Sequence, residues 1–141
     1  MPAEPAFSWP IRVYYEDTDA GGVVYHANYL RFFERARTEW LRAQGIAQSR
    51  FAAETGLVFV LSELSVSFRR PARLDDELSV SCTLAETRAA SLRFTQQLVR
   101  SHDQELLVGL ECRVALIDAG SFKPVVLPES LKEKLRTCIP N

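Results

Sequence analysis

Between residues 28 and 44 the apolar positions Tyr29, Phe32, Phe33, Ala36, Trp40 and Leu41 recur at spacings of three and four, the period of an α-helix. Charged helix formers, among them Glu34, Arg35, Arg37, Glu39 and Arg42, occupy the other faces. Gly45, which tolerates positive φ, marks the end. The apolar stripe is wider and more aromatic than a surface helix needs, so this helix is predicted to be buried on several sides. After a short second helix over 48–54 the period changes to two. Val58, Val60, Ser62, Leu64, Val66 and Phe68 alternate with their neighbours until Pro71 ends the strand. Leu78, Val80, Cys82 and Leu84 define a half-buried strand over 77–84, and a third follows over 92–98 after a turn near 88–91. The run 106–117 is apolar in part on both faces, which predicts a central strand or a subunit contact. A turn with Gly120 spans 118–123, and Pro128 opens a last helix to about residue 136. At the other end, residues 1–10 with Pro2, Pro5 and Pro10 read as an irregular arm, and 11–15 as a short β-type run. Strand, buried helix, then longer strands: the order predicts an α+β fold with one helix lying across an antiparallel sheet.

Composition narrows the function classes. The 141 residues suit one domain spanning 1–141, with 47% hydrophobic and 25% charged residues, enough to build a core. Net charge is −1, and Arg69, Arg70 and Arg73 are followed at once by Asp75, Asp76 and Glu77. No broad basic field exists, so nucleic acid is not an expected partner. Three widely spaced cysteines without a CxxC pair argue against both a disulfide framework and a zinc site. Cys82 and Cys112 fall in alternating apolar patterns and are expected to be buried thiols. The first ten residues lack the pattern of an export signal, and the longest purely apolar run, 57–61, is too short to span a bilayer. A cytoplasmic protein without a transmembrane segment is the expectation.

Candidate chemistry concentrates in one place. Glu16, Asp17 and Asp19 lie within four residues, followed by Gly21 and Gly22 and then by the start of the long helix. One reading is a solvated acidic turn whose aspartates cap local backbone. The other is catalytic. A helix N-terminus presents unpaired N–H groups and partial positive charge, which can polarise a thioester carbonyl and hold the oxyanion formed on attack. A carboxylate just before it can attack the carbonyl carbon or draw a proton from water. Of the two histidines, His102 sits in a turn between strands and is expected to be idle, and His26 lies at the helix start.

The stretch RVYYEDTDAGGVVYHANYLRFFERARTEWLRAQGI, residues 12–46, and FRRPARLDDEL, residues 68–78, resemble the 4-hydroxybenzoyl-CoA thioesterase family. Within it they are most similar to the YbgC-type acyl-CoA thioesterases associated with the bacterial Tol–Pal system. The combination of D-x-D-x-G-G-V-V-Y-H-x-x-Y with F-x-E-R-A-R on the following helix is specific. The resemblance implies a hot-dog fold, in which a curved antiparallel sheet wraps the long helix, and homodimers or homotetramers with sites at the dimer interface. It implies that Asp19, the second aspartate of the motif, is catalytic as nucleophile or general base, and that Asp17 is structural. The backbone N–H near His26 would polarise the carbonyl, with Gly22, Tyr25, His26 and Tyr29 binding substrate. No cofactor or metal is implied, since coenzyme A enters as part of the acyl-CoA. Arg69, Arg70, Arg73 and Arg88 are candidates for its phosphates by charge and strand-end placement alone. Two alternatives remain open. One is a weakly catalytic protein docking on acyl carrier protein in envelope or phospholipid metabolism. The other is a hot-dog dehydratase in which His26 and an acid move protons.

Overall fold

The computed structural model describes residues 7–140. The long helix, α1 (Asn28–Ala43), buries Tyr29, Phe32, Phe33, Ala36, Trp40 and Leu41, the stripe read from the sequence. Gly45 ends it with φ at 83°, the left-handed conformation that costs glycine least. A shorter helix, α2 (Gln48–Thr55), follows, and α3 (Glu129–Arg136) starts after Pro128. None of these helices is long and apolar enough to cross a membrane.

Six strands form one antiparallel sheet: β1 (Ser8–Arg12), β2 (Leu57–Phe68), β3 (Glu77–Ser81), β4 (Thr83–Thr87), β5 (Ser91–Arg100) and β6 (Glu105–Asp118). Their order is β1-β3-β5-β6-β2, with β4 also paired to β5. The sheet presents Leu78, Val80, Leu84, Leu92, Phe94, Leu98 and Leu116 to a core shared with α1. This is the hot-dog arrangement, and the α+β expectation holds. The run 106–117 is interior in the sheet, between β5 and β2.

Two stretches depart from the sequence reading. The first strand is Ser8–Arg12, not 11–15, so the last part of the supposed irregular arm is sheet; residues 1–6 lie outside the described residues. Pro10 is tolerated there because β1 is an edge strand paired only with β3, opposite Ser79, where a missing donor need not break a ladder. Tyr15–Asp17 forms a short 3-10 turn instead.

The predicted strand 77–84 is two strands meeting at Cys82 and running on to Thr87. Register against β5 carries straight across, from Val80 opposite Leu98 to Thr83 opposite Thr95. The Cys82 N–H donates instead to the Phe7 carbonyl at 3.3 Å. The buried Gln96 amide fills the gap, donating to the carbonyls of Ser81 (3.2 Å) and Phe33 (3.1 Å), while its oxygen accepts from Arg37 at 2.9 Å. One side chain thereby ties the sheet to α1 and gives the Ser81 carbonyl a donor at the break.

Both Cys82 and Cys112 are buried free thiols, as expected. Burial pushes the Cys82 thiol far above its ordinary pKa, against a lowering effect of nearby Arg37. Phe94 lies edge-on to Trp40 at 5.2 Å between ring centres. Phe94→Ala should cost about 3–5 kcal/mol, read as a lower urea midpoint at unchanged slope; a loss under 1 kcal/mol would refute this account of the core.

Candidate active site

The segment leading into α1 folds back on itself as a small hairpin. Tyr25 N–H donates to the Asp17 carbonyl at 2.9 Å, Thr18 bridges Val24, and Asp19 N–H donates to the Val23 carbonyl at 2.9 Å. Gly22 closes the tip, its N–H on the Asp19 carbonyl at 3.0 Å and its φ at 77°. Gly21 is small for a different reason: a Cβ there would stand 3.2 Å from the Asp19 carboxylate. The hairpin docks on the segment after β2, with Val23 bridging Arg73 and Val24 N–H donating to the Ala72 carbonyl at 2.9 Å.

The two aspartates of the motif occupy opposite environments. Asp17 is buried, and its carboxylate accepts from Tyr14 N–H at 2.8 Å and from the Asn28 side-chain amide at 2.7 Å. It fixes the start of α1 to the loop, the structural place implied for it. Asp19 is exposed. One carboxylate oxygen accepts the Gly21 N–H at 2.8 Å, and the other has no partner among the described residues. The turn-capping and catalytic readings of this carboxylate are therefore compatible, since capping occupies one oxygen only.

The helix start is open. Ala27 precedes α1 without a side-chain cap, and the first turn carries no acidic residue. Asn28 N–H donates to the Tyr25 carbonyl at 2.8 Å, whereas the N–H groups of His26 and Ala27 have no acceptor among the described residues. Such a terminus keeps its partial positive charge available to an anion. Tyr25 and His26 are exposed, their rings 4.5 Å apart. Tyr29 is only 3% exposed; its hydroxyl accepts the Ala72 N–H at 2.9 Å and its ring meets Phe68 at 5.7 Å. Burial raises the Tyr29 pKa, and the charges of Asp76 and Asp19 add to the rise against the Ala72 hydrogen bond.

The structure brings Asp19, Gly22, Tyr25, His26 and Tyr29 to this one end of α1. The four arginines separate. Arg70 pairs with Glu105 at 2.6 Å and Arg88 with Glu86 at 3.1 Å. The Arg69 and Arg73 guanidinium groups form no ion pair among the described residues; the Arg73 N–H donates to the Asp76 carboxylate at 2.9 Å, and Arg73 adjoins the hairpin. Asn28 and Ala72 were not singled out from the sequence. A polar residue at a predicted helix start was a signal for Asn28, but nothing local points to Ala72, which acts through its backbone.

Residues 13–135 match the thioesterase-like superfamily. The chain is 47% identical over 126 residues to the acyl-CoA thioesterase YbgC of Haemophilus influenzae, covering 89% of this chain and 91% of that one. It is also 47% identical to the acyl-CoA thioester hydrolase YbgC of Escherichia coli, over 89% and 92% of the two chains. A probable thioesterase from Bartonella henselae superposes with a TM-score of 0.80 at 35% identity, covering 86% of this chain and 98% of that one. Fold and hairpin therefore define a hot-dog enzyme of the thioesterase-like superfamily. Within that superfamily the chain belongs to the YbgC acyl-CoA thioesterases, a family of thioester hydrolases.

The Asp17–Asn28 contact generates a test of the site's architecture. Asp17→Ala strands a buried amide and an N–H, so stability should fall by about 1–3 kcal/mol. Hydrogen exchange should quicken at Asn28 and Tyr29; unchanged protection there would show that α1 does not depend on Asp17.

Proposed function

We propose that the chain, acting as a single domain over residues 1–141, hydrolyses acyl-CoA to free acid and CoA with Asp19 as nucleophile or general base. The observation that carries this reading is the pairing of an exposed carboxylate, pinned by one oxygen, with the His26 and Ala27 N–H groups before α1, which have no acceptor among the described residues. In either mechanism the thioester carbonyl oxygen accepts the His26 N–H, joined by the partial charge of α1, and the charge developing on that oxygen is met by fixed donors. Asp19 then either bonds to the carbonyl carbon, forming an anhydride that water opens, or takes a proton from the water that attacks. The carbon–sulfur bond breaks and CoA leaves as the thiolate. Gly22, Tyr25, His26 and Tyr29 bind and frame the acyl thioester, and the unpaired Arg69 and Arg73 favour its phosphates over Arg70 and Arg88. The chemistry asks for no metal or cofactor beyond the CoA of the substrate. A cytoplasmic location is proposed from the sequence pattern, and the association with Tol–Pal from the family resemblance.

Asp19→Asn should lower the rate of CoA release by about a hundredfold or more at unchanged melting temperature. Near-normal turnover in that variant would remove Asp19 from the mechanism.

The working unit is proposed to be a homodimer or homotetramer joined through β2. This twelve-residue strand has β6 on one side and, among the described residues, no strand on the other, and it exposes Leu61 (44%), Leu64 (38%) and Phe68 (54%). A long unpaired apolar edge is a pairing template. Leu64→Asp should reduce the mass measured by light scattering to that of one chain; an unchanged oligomer would place the contact elsewhere.

A further inference from the structure

The hairpin that carries Asp19 leans on residues 72–76, a turn that the chain reaches only after β2. Val24 N–H donates to the Ala72 carbonyl at 2.9 Å, and Val23 bridges Arg73. That turn is itself held from several sides. Ala72 is fully buried, and its N–H donates to the Tyr29 hydroxyl at 2.9 Å. The Arg73 N–H donates to the Asp76 carboxylate at 2.9 Å, and the Asp76 N–H returns to the Arg73 carbonyl at 3.1 Å. Asp75, with φ at 71°, donates its N–H to the Val13 carbonyl at 3.0 Å, and the Asp76 carbonyl accepts the Val13 N–H at 3.0 Å. Aspartate is one of the few residues that enter this left-handed conformation readily.

We propose that Tyr29 and Asp76 are positioning residues for Asp19, holding the Ala72–Arg73 backbone as a strut that sets the carboxylate against the N–H groups before α1. The proposal rests on the thioesterase reading above. One path runs from the Tyr29 hydroxyl to the Ala72 N–H, from the Ala72 carbonyl to the Val24 N–H, and from the adjoining Val23 carbonyl to the Asp19 N–H. Tyr29 follows His26 by three residues, close to one turn of helix. The path therefore begins beside the carbonyl-binding N–H and ends at the attacking group. The chain between them contains Gly21 and Gly22, which hold their shape less firmly than other residues. A displacement of an attacking group by about 1 Å can cost roughly a hundredfold in rate, so a second tie between the two has a direct effect on turnover. Tyr29 offers a ligand little surface, and its hydroxyl is engaged by Ala72. Its part in framing the thioester is exercised through the loop. Asp76 acts on the next residue, because without its carboxylate the Arg73 N–H loses its acceptor and the bridge to Val23 loses a fixed edge.

The test measures kcat and KM in folded wild type, Tyr29→Phe, Asp76→Ala and Asp76→Asn, on the best substrate among butanoyl-CoA, octanoyl-CoA and benzoyl-CoA. Tyr29→Phe and Asp76→Ala should each lower kcat by about tenfold or more with KM within about twofold of wild type. Asp76→Asn, whose amide oxygen can accept the Arg73 N–H, should keep kcat within about threefold of wild type. In the Asp19→Asn background, Tyr29→Phe should slow release no further, because the strut then has no carboxylate to position. A raised KM at unchanged kcat in Tyr29→Phe makes that residue a substrate contact and overturns the strut. Unchanged constants in Tyr29→Phe or Asp76→Ala overturn it too, as does Asp76→Asn as slow as Asp76→Ala, or losses from Tyr29→Phe and Asp19→Asn that multiply. Should Asp76→Ala fail to fold, Tyr29→Phe, which removes a single oxygen, decides alone. Failure of the strut with release still dependent on Asp19 leaves the thioesterase reading standing. Release that Asp19→Asn leaves intact, or no release from any of the substrates, defeats that reading and the strut with it.

Discussion

A helix with so broad an aromatic face cannot rest on a flat sheet, and the rest of the molecule follows from that constraint. Phe32, Phe33 and Ala36 are fully removed from water, and Trp40 and Leu41 nearly so. Burial of that much apolar surface is the dominant favourable term available to a chain of this size. To achieve it the sheet must curl, and its strands must be long where they cross the helix and free to break where they bend. Gln96 and the Ser81 hydroxyl answer the second need, because side chains replace the backbone pairing lost at the break and the Gln96 amide bonds α1 as well. The helix is consequently held in translation along its axis, not only pressed against the sheet.

That fixed helix determines what its N-terminal end can do. Two carboxylates two residues apart are sorted by the way the chain enters α1. Burial of the Asp17 charge is tolerable because an N–H and an amide meet both of its oxygens, and the outcome is a rigid loop. Asp19 lies beyond the turn in water, with one oxygen engaged by Gly21. Rigidity is supplied by the first residue, and the second is left with one oxygen open to solvent. The glycines at the hairpin tip serve the same division, one by its left-handed backbone and the other by leaving room beside a carboxylate.

Much of this was legible in the sequence wherever burial imposes a period. The stripe of α1 and the alternation in β2, β5 and β6 depend on which face meets the core, and the spacing of apolar residues records that directly. The motif at residues 17–29 likewise pointed to the end of α1 where the loop now stands. What escaped the sequence is set by residues far away along the chain. Pro10 looks like a strand breaker until its position at the sheet edge is known. The break at Cys82 rests on Gln96 and on the Ser81 hydroxyl, which takes the Gln97 N–H from the ladder, and neither contact can be read from residues 77–84 alone. The same holds for the arginines, four equal candidates by charge until Glu105 and Glu86 engage two of them. Asn28 reads as an ordinary helix start, and only its contact with Asp17 gives it a place in the site.

The two borders of the sheet are unequal. One is the five-residue β1, which lacks a donor at Pro10; the other is the twelve-residue β2. An incoming strand finds little to hold at the first border and a full ladder at the second. Two chains that met through their β2 borders would each have spent the only strong one. Growth would end at a closed pair, because both outer margins would then be the poor one. A proline that looked like a local irregularity would leave the outer margin of such a pair a donor short, favouring finite assembly over fibre formation.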